Sequence, residues 1–229
     1  MSRTTRNWFV VGTDTGVGKT VVSALLVSAL RATGRPALYW KPIQTGPDSD
    51  TRTVEELLSP STSVGLPPVY EYAPPIAPLR AADLAGDSIS FVRIADRANV
   101  ALASDLVIEG AGGIATPLAR PGKTVGHLAK SLGARALLVA PARLGAIHQA
   151  SVALDFARGM DLAVAALIWT GDEDPGLEDF FTGWRSDAPP QFRVPRCEGP
   201  VNADWIRSAS RKFFASTVSN DPFQWRSHD

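Results

Sequence analysis

Cysteine is nearly absent: Cys197 is the single one in 229 residues. No intrachain disulfide can form, and such sparse cysteine suits a reducing compartment, so a cytoplasmic location is expected. Cys197 follows Pro195-Arg196 and reads as an ordinary loop thiol. An excess of charge is missing too. Lys+Arg and Asp+Glu both number 23, so the net charge is zero. That argues against a broad nucleic-acid or membrane surface but leaves room for a local phosphate site. No run of about 18 apolar residues exists, so no transmembrane helix is expected. The N-terminus meets its first apolar segment after a short polar stretch, which does not read as a signal peptide. No His/Cys cluster has the spacing of a zinc site. Of the three histidines, His127 reads as structural and His228 lies in a polar tail. No internal repeat or dividing linker is visible. Residues 1–229 are therefore read as one domain with a loose tail from about residue 216.

Hydrophobic residues make up 45 % of the chain, enough for a full core. The most informative stretch is Gly12-Thr13-Asp14-Thr15-Gly16-Val17-Gly18-Lys19-Thr20. The apolar run Trp8, Phe9, Val10, Val11 before it reads as a strand. The residues after it, from Val21 and Val22 to Leu30, read as a buried helix. Strand, Gly-rich turn, Gly-Lys-Thr and helix form a phosphate cradle, with backbone N–H groups and the helix N-terminus facing an anion. A nucleotide is the expected ligand, held by Thr13, Gly16, Val17, Gly18, Lys19, Thr20 and Val21. Lys19 supplies a mobile charge and Thr20 a hydroxyl for Mg²⁺. In the usual pattern the first glycine stands five places before Gly18, where this chain has Thr13; Gly12 is one place early.

Strand and helix patterns then alternate. Strands are expected at Pro36–Trp40, Asp105–Ile108, Ala136–Ala140, Leu162–Trp169 and Gln191–Val194. Helices are expected at Thr51–Leu58, Ser90–Ala103, Thr124–Ser131, Ala146–Arg158, Pro175–Trp184 and Val201–Phe214. The Pro-rich residues 60–80 read as an ordered loop or lid, not a core element. This is an α/β chain, a single P-loop NTPase domain whose mostly parallel sheet has helices on both faces. Ligands in such sheets sit at the carboxyl ends of the strands. Lys41 closes one strand and reads either as a solvated strand end or as a second cation for a transferred group. Thr45 could donate a hydrogen bond to substrate. Asp50 reads as a helix N-cap or as a metal ligand. Glu109 closes a buried strand, where a carboxylate is costly unless paired or coordinated. Gly110, Gly112 and Gly113 let backbone approach a ligand.

These segments together resemble the dethiobiotin synthetase family. The resemblance rests on the nine-residue turn, Trp40-Lys41-Pro42-Ile43-Gln44-Thr45-Gly46, Glu109-Gly110-Ala111-Gly112-Gly113 with Pro117-Leu118, and Arg143-Leu144-Gly145-Ala146-Ile147-His148. It spans roughly residues 7 to 200, and the early glycine is normal in that family. It implies an ATP-dependent carboxylase acting on 7,8-diaminononanoate and CO₂ (or bicarbonate) with Mg-ATP, through a carbamate and a carbamic-phosphoric anhydride. Lys19, Lys41 and Thr45 would be catalytic, and Thr20, Asp50 and Glu109 would hold Mg²⁺. Gly110, Ala111 and Gly112 would approach the nucleotide, and Gly112 and Gly113 would line the diamine. A homodimer is implied, with Gly145, Ala146 and Ile147 of one subunit meeting the substrate carboxylate held by the other. Thr170, Gly171, Val194, Pro195 and Arg196 would surround the base. The family usually has Asn-Asp at Thr170-Gly171, Asn-His at His148-Gln149 and Pro-His at Pro78-Leu79. The alternative weighed is a partition-type P-loop ATPase acting as a nucleotide switch. Those proteins usually carry an early lysine, and Gly12-Thr13-Asp14-Thr15 has none.

Overall fold

The structure is a computed structural model that describes residues 7–59, 63–99, 104–172 and 174–215. Strand β1 (Asn7–Gly12) carries Trp8, Phe9, Val10 and Val11, all wholly buried. Successive side chains of a strand point to opposite faces. An unbroken apolar run therefore needs cover on both sides, as in parallel sheets. Trp8 and Val10 pack with Leu25 of α1 (Lys19–Ala32), Val54 of α2 (Asp50–Leu58) and Ile206 of α8 (Ala203–Ala215). Phe9 and Val11 share the other core with Ala81 of α3 (Pro78–Leu84), Ile94 of α4 (Phe91–Ala98) and Leu128 of α5 (Val125–Ser131). Leu154 of α6 (Ala146–Gly159) and Phe181 of α7 (Leu177–Trp184) complete that side.

The main sheet has seven strands in the order β11 (Gln191–Val194), β10 (Val164–Thr170), β9 (Arg135–Pro141), β1, β6 (Asp105–Gly113), β2 (Ala37–Trp40) and β4 (Gly65–Leu66). Every pairing in it is parallel. The expected α/β architecture, a parallel sheet covered on both faces, is what the chain adopts. β1 sits between β9 and β6, and β6 also pairs with β2. Val10 stands opposite Glu109 and Trp40 opposite Ile108. The turn after β1, Lys41 after β2 and Glu109 within β6 are thus neighbours. Beyond Glu109 the register slips: Val10 faces Glu109 but Gly12 faces Gly113. The extra residues of β6 bulge there, and the strands pair again at Gly12 and Gly113 beside the turn.

The Pro-rich segment differs from its reading as a loop outside the core. It supplies β4 at the sheet edge and β5 (Tyr70–Tyr72), which pairs with β3 (Ile43–Thr45), and it buries Val64, Tyr70 and Tyr72. Pro67 and Pro68 fall between β4 and β5, and Pro74 and Pro75 follow β5, so none of them removes a ladder N–H. A hairpin of β7 (Pro117–Ala119) and β8 (Lys123–Thr124) was not anticipated. The helix expected over Ser90–Ala103 runs from Phe91 to Ala98; residues 100–103, and the tail from 216, lie outside the described residues.

Candidate active site

Gly18 sits at the N-cap of α1 with φ 95° and no side-chain cap. A helix start without a capping side chain leaves its first N–H groups for an anion. The early Gly12 has a steric reason. A Cβ there would stand 2.6 Å from the Asp14 carbonyl oxygen and 3.1 Å from Lys19 Nζ. Lys19 crosses the turn and donates to that carbonyl at 2.8 Å. Burial lowers its pKa, with Lys41 adding repulsion, while Glu109, Asp50 and Asp14 pull the other way.

Opposite the turn lies a cluster of buried charge. Glu109 is 1 % exposed. Its Oε1 accepts from Thr20 Oγ1 at 3.1 Å and from Lys41 Nζ at 3.4 Å. Its Oε2 accepts from Tyr39 OH at 2.9 Å and from Ser23 Oγ at 3.4 Å. Asp50 Oδ1 also lies 3.0 Å from Thr20 Oγ1, whose single proton can serve only one of the two carboxylates at a time, and Asp50 forms an ion pair with Lys41. Ser49, not Asp50, caps α2, accepting from the Arg52 N–H. Asp50 is therefore free of the capping role and turns inward. Burial raises the Glu109 pKa despite Lys41. Burial also pushes Asp50 upward, but Lys41 and the hydrogen bonds outweigh it, so its pKa is lowered. Lys41 is desolvated too, yet the two carboxylates raise its pKa.

These groups line one cleft of about 570 Å³. Lys19, Thr20, Lys41, Thr45, Asp50 and Glu109 all face it, as do Gly16, Gly18, Val21, Ala111 and Gly112. Pro75, Ile76, Ala77 and Pro78 form its outer wall, so the Pro-rich segment does border the cleft like a lid. A larger groove of about 670 Å³ opens where β9 and β10 begin, away from this chemistry. Its Arg158 is held by Asp155 and Asp187.

The donor set suits Mg²⁺. Thr20, Asp50 and Glu109 offer only hard oxygens, and their mutual hydrogen bonds bring those oxygens together. Among the described residues no group of three or more His, Cys, Asp and Glu could form an all-protein cage. Mg²⁺ commonly binds through one or two carboxylates, with phosphate oxygens and water completing the shell.

Tyr39, Ser23, Gln44, Asp48 and Thr116 are given no role by the sequence reading. The first two bond Glu109 and the others line the cleft. Thr13, Val17, Gly110 and Gly113 lie behind the lining rather than in it. Gly113 packs so closely on the turn that a Cβ would stand 2.8 Å from the Thr13 carbonyl oxygen. Gly145, Ala146 and Ile147 open α6 outside this cleft, beside a fully exposed Leu144. The ledge expected to hold a base is knit to itself: Gly171 N–H donates to the Val194 carbonyl at 2.9 Å, and Arg196 N–H to Asp172 at 2.9 Å. The Thr170 hydroxyl faces the turn instead of an open base site, donating to the Val17 carbonyl at 2.9 Å.

A family model described as an AAA domain matches residues 6–209. The ATP-dependent dethiobiotin synthetase BioD of Anaeromyxobacter sp. (strain K) is 38 % identical over 177 residues, 74 % of this chain and 79 % of that one. The protein of the same name from Phenylobacterium zucineum (strain HLK1) is 34 % identical over 207 residues, covering 82 % and 88 %. Among solved structures, the ParA family ATPase from Chlorobium tepidum TLS superposes with a TM-score of 0.56 at 14 % identity, over 91 % of this chain and 98 % of that one. That last likeness speaks for the fold alone.

Proposed function

Since the chain belongs to the ATP-dependent dethiobiotin synthetase family, we propose that it closes the ureido ring of dethiobiotin from 7,8-diaminononanoate, CO₂ and ATP. One amine adds CO₂ and loses a proton, giving a carbamate. A carbamate oxygen attacks the γ-phosphorus, the bond to the β-γ bridging oxygen breaks, and ADP leaves. The second amine attacks the carbamic carbon and gives up a proton, phosphate departs with the C–O bonding electrons and takes up that proton, and the ring closes.

The observation that carries this reading is the convergence of two lysines, two carboxylates and the Thr20 hydroxyl in one cleft with Thr45 and Gly112. Phosphoryl transfer needs positioning and charge stabilisation more than covalent chemistry. Lys19 and Lys41 neutralise charge on the carbamate and the moving phosphoryl group. Thr45 hydrogen-bonds the reacting end of the diamine, and backbone around Gly112 and Gly113 lines it. Thr20, Asp50 and Glu109 would hold Mg²⁺, which offsets the phosphate charge when bound. The proline wall from Pro75 to Pro78 limits water, which would hydrolyse the anhydride.

A homodimer belongs to this reading. The α6 N-terminus lacks a side-chain cap, and the apolar Leu144 beside it is fully exposed. A second copy would cover Leu144 and bring its diamine's carboxylate to Gly145, Ala146 and Ile147. The likeness to a partition-type ATPase extends to the fold, and no observation here favours a nucleotide switch. The test is product analysis. The protein is mixed with 7,8-diaminononanoate, bicarbonate and Mg-ATP, and dethiobiotin is sought by mass. ADP release without dethiobiotin would refute ring closure.

A further inference from the structure

The Thr170 side chain stands at the end of β10 and reaches a residue far away in sequence. Its hydroxyl donates to the Val17 carbonyl at 2.9 Å, with a longer contact to the Ala140 carbonyl at 3.4 Å. Its Cγ2 lies 3.2 Å from where a Cβ of Gly18 would be. Thr170 therefore packs on the back of the Val17–Gly18 peptide. That peptide is planar and trans, so its C=O and N–H point in opposite directions. Thr170 does not line the cleft, whereas Gly18 does. A carbonyl drawn toward Thr170 turns the Gly18 N–H toward the cleft.

We propose that Thr170 is a positioning residue of the phosphate cradle and not a reader of the nucleotide base. Its hydroxyl fixes the Val17 carbonyl and thereby aims the Gly18 N–H at the bound phosphates. Gly18 needs such a brace. Its φ of 95° lies in a region glycine alone enters freely, and glycine leaves it just as freely. The neighbouring Val17 side chain is buried and anchors one end of the peptide; the hydroxyl anchors its rotation. The groups beside Thr170 that could read a base edge are engaged as well. Gly171 N–H is held by Val194, and the Gly171 carbonyl accepts from Arg193 at 3.1 Å. Asp172 is held by the Arg196 N–H. The inference rests on the nucleotide-binding part of the proposed function and not on ring closure.

The experiment compares binding of ATP, CTP and inorganic tripolyphosphate to the full chain and to Thr170→Val and Thr170→Ser by calorimetry. Tripolyphosphate is the decisive probe because it has no base. Thr170→Val keeps the shape and removes the hydroxyl. It should weaken all three ligands by the same factor of about five, the worth of one neutral hydrogen bond. Thr170→Ser keeps the hydroxyl and should bind all three within about twofold of the native chain. A loss confined to ATP, with tripolyphosphate unchanged, would make Thr170 a base reader and overturn the inference. Unchanged binding of all three ligands to Thr170→Val would also overturn it. So would a native chain that binds no tripolyphosphate, since there would be no cradle to brace. A native chain that makes no dethiobiotin but shows the uniform loss would refute the proposed reaction and leave this inference standing.

Discussion

Replacing Lys41 with Met tests the charge arrangement most directly. The ammonium lies 3.4 Å from Glu109 Oε1 and is also ion-paired with Asp50. Two unit charges at that separation attract by about 5 kcal/mol at an effective dielectric constant near 20. Removing one partner of such a pair strands the other, and the usual net cost is about 3–5 kcal/mol. Glu109 can limit that cost by taking a proton, and this sets the sign of the pH dependence. Burial already raises its folded-state pKa; losing Lys41 raises it further. The stability of a group with a raised pKa is fully present below its unfolded value and is lost as pH rises through the folded value. Asp50 behaves in the opposite sense: its lowered pKa contributes stability above the unfolded value, and Lys41 is the largest cause of the lowering. Both effects make Lys41→Met suffer more at pH 8 than at pH 5. Urea unfolding of native and variant chains at the two pH values reads this as a difference in midpoint. Mg²⁺ should then stabilise the variant more than the native chain, because the carboxylates have lost their internal cation. At a hundred times Kd the gain is about 2.7 kcal/mol. A deficit below about 1 kcal/mol at pH 8, near the worth of a surface ion pair, would refute the reasoning. So would a deficit of equal size at both pH values.

Glu109→Gln keeps the shape and removes one negative charge, so the Mg²⁺ concentration needed for half-maximal turnover should rise; an unchanged Mg²⁺ titration would remove Glu109 from the metal's ligands. Arg35→Gln should cost about 2–4 kcal/mol in denaturant unfolding, because Arg35 holds the buried Asp105 through two contacts of 2.5 and 2.6 Å. It should leave the KM for ATP unchanged, since neither residue lines the cleft. Mixing inactive Lys19→Ala subunits with subunits carrying Ala146→Glu should recover turnover, because one hybrid site keeps both intact halves. No recovery, with subunit exchange verified by mass, would argue for sites contained in one chain.

The parts of the fold legible in the sequence are those with one strong period or one strong punctuation mark. β1 is four apolar residues before a glycine turn, and α6 is a helical pattern opened by Gly145. The segment from 60 to 80 reads as loop because its pieces are too short for periodicity. β4 has two residues and β5 three, and prolines between them read as loop. What makes them structure is tertiary. Tyr70 and Tyr72 point the same way along β5 and stack against each other at 6.3 Å. They gain their burial only from α3 and the chain around them, and no local pattern announces that.

The site divides along a similar line. The phosphate turn is contiguous, so its strand, glycines, lysine and helix are read in one pass. Lys41 and Glu109 were legible because each follows an apolar run; the strand expected to end at Ile108 in fact continues through Glu109 to Gly113. Tyr39 was not singled out, although the signal was present. Residues two apart in a strand share a face, and Tyr39 stands two before Lys41. The register pairs Tyr39 with Val107 and Val10 with Glu109, and Val107 and Val10 both pack toward α1. Tyr39, Lys41, Val107 and Glu109 therefore lie on the α1 face of adjacent strands. Ser23 and Thr20 of α1 meet them there. A lysine and a glutamate that each follow an apolar run on adjacent strands thus direct attention to the polar group two positions back on the same face. The brace from Thr170 to Val17 has no counterpart in that logic. It joins residues 153 positions apart, across β9, and the sequence offered for Thr170 only a comparison with an asparagine. The difference is physical: a phosphate turn is built by neighbours in the chain, whereas the parts that hold it rigid are neighbours only once the sheet has formed.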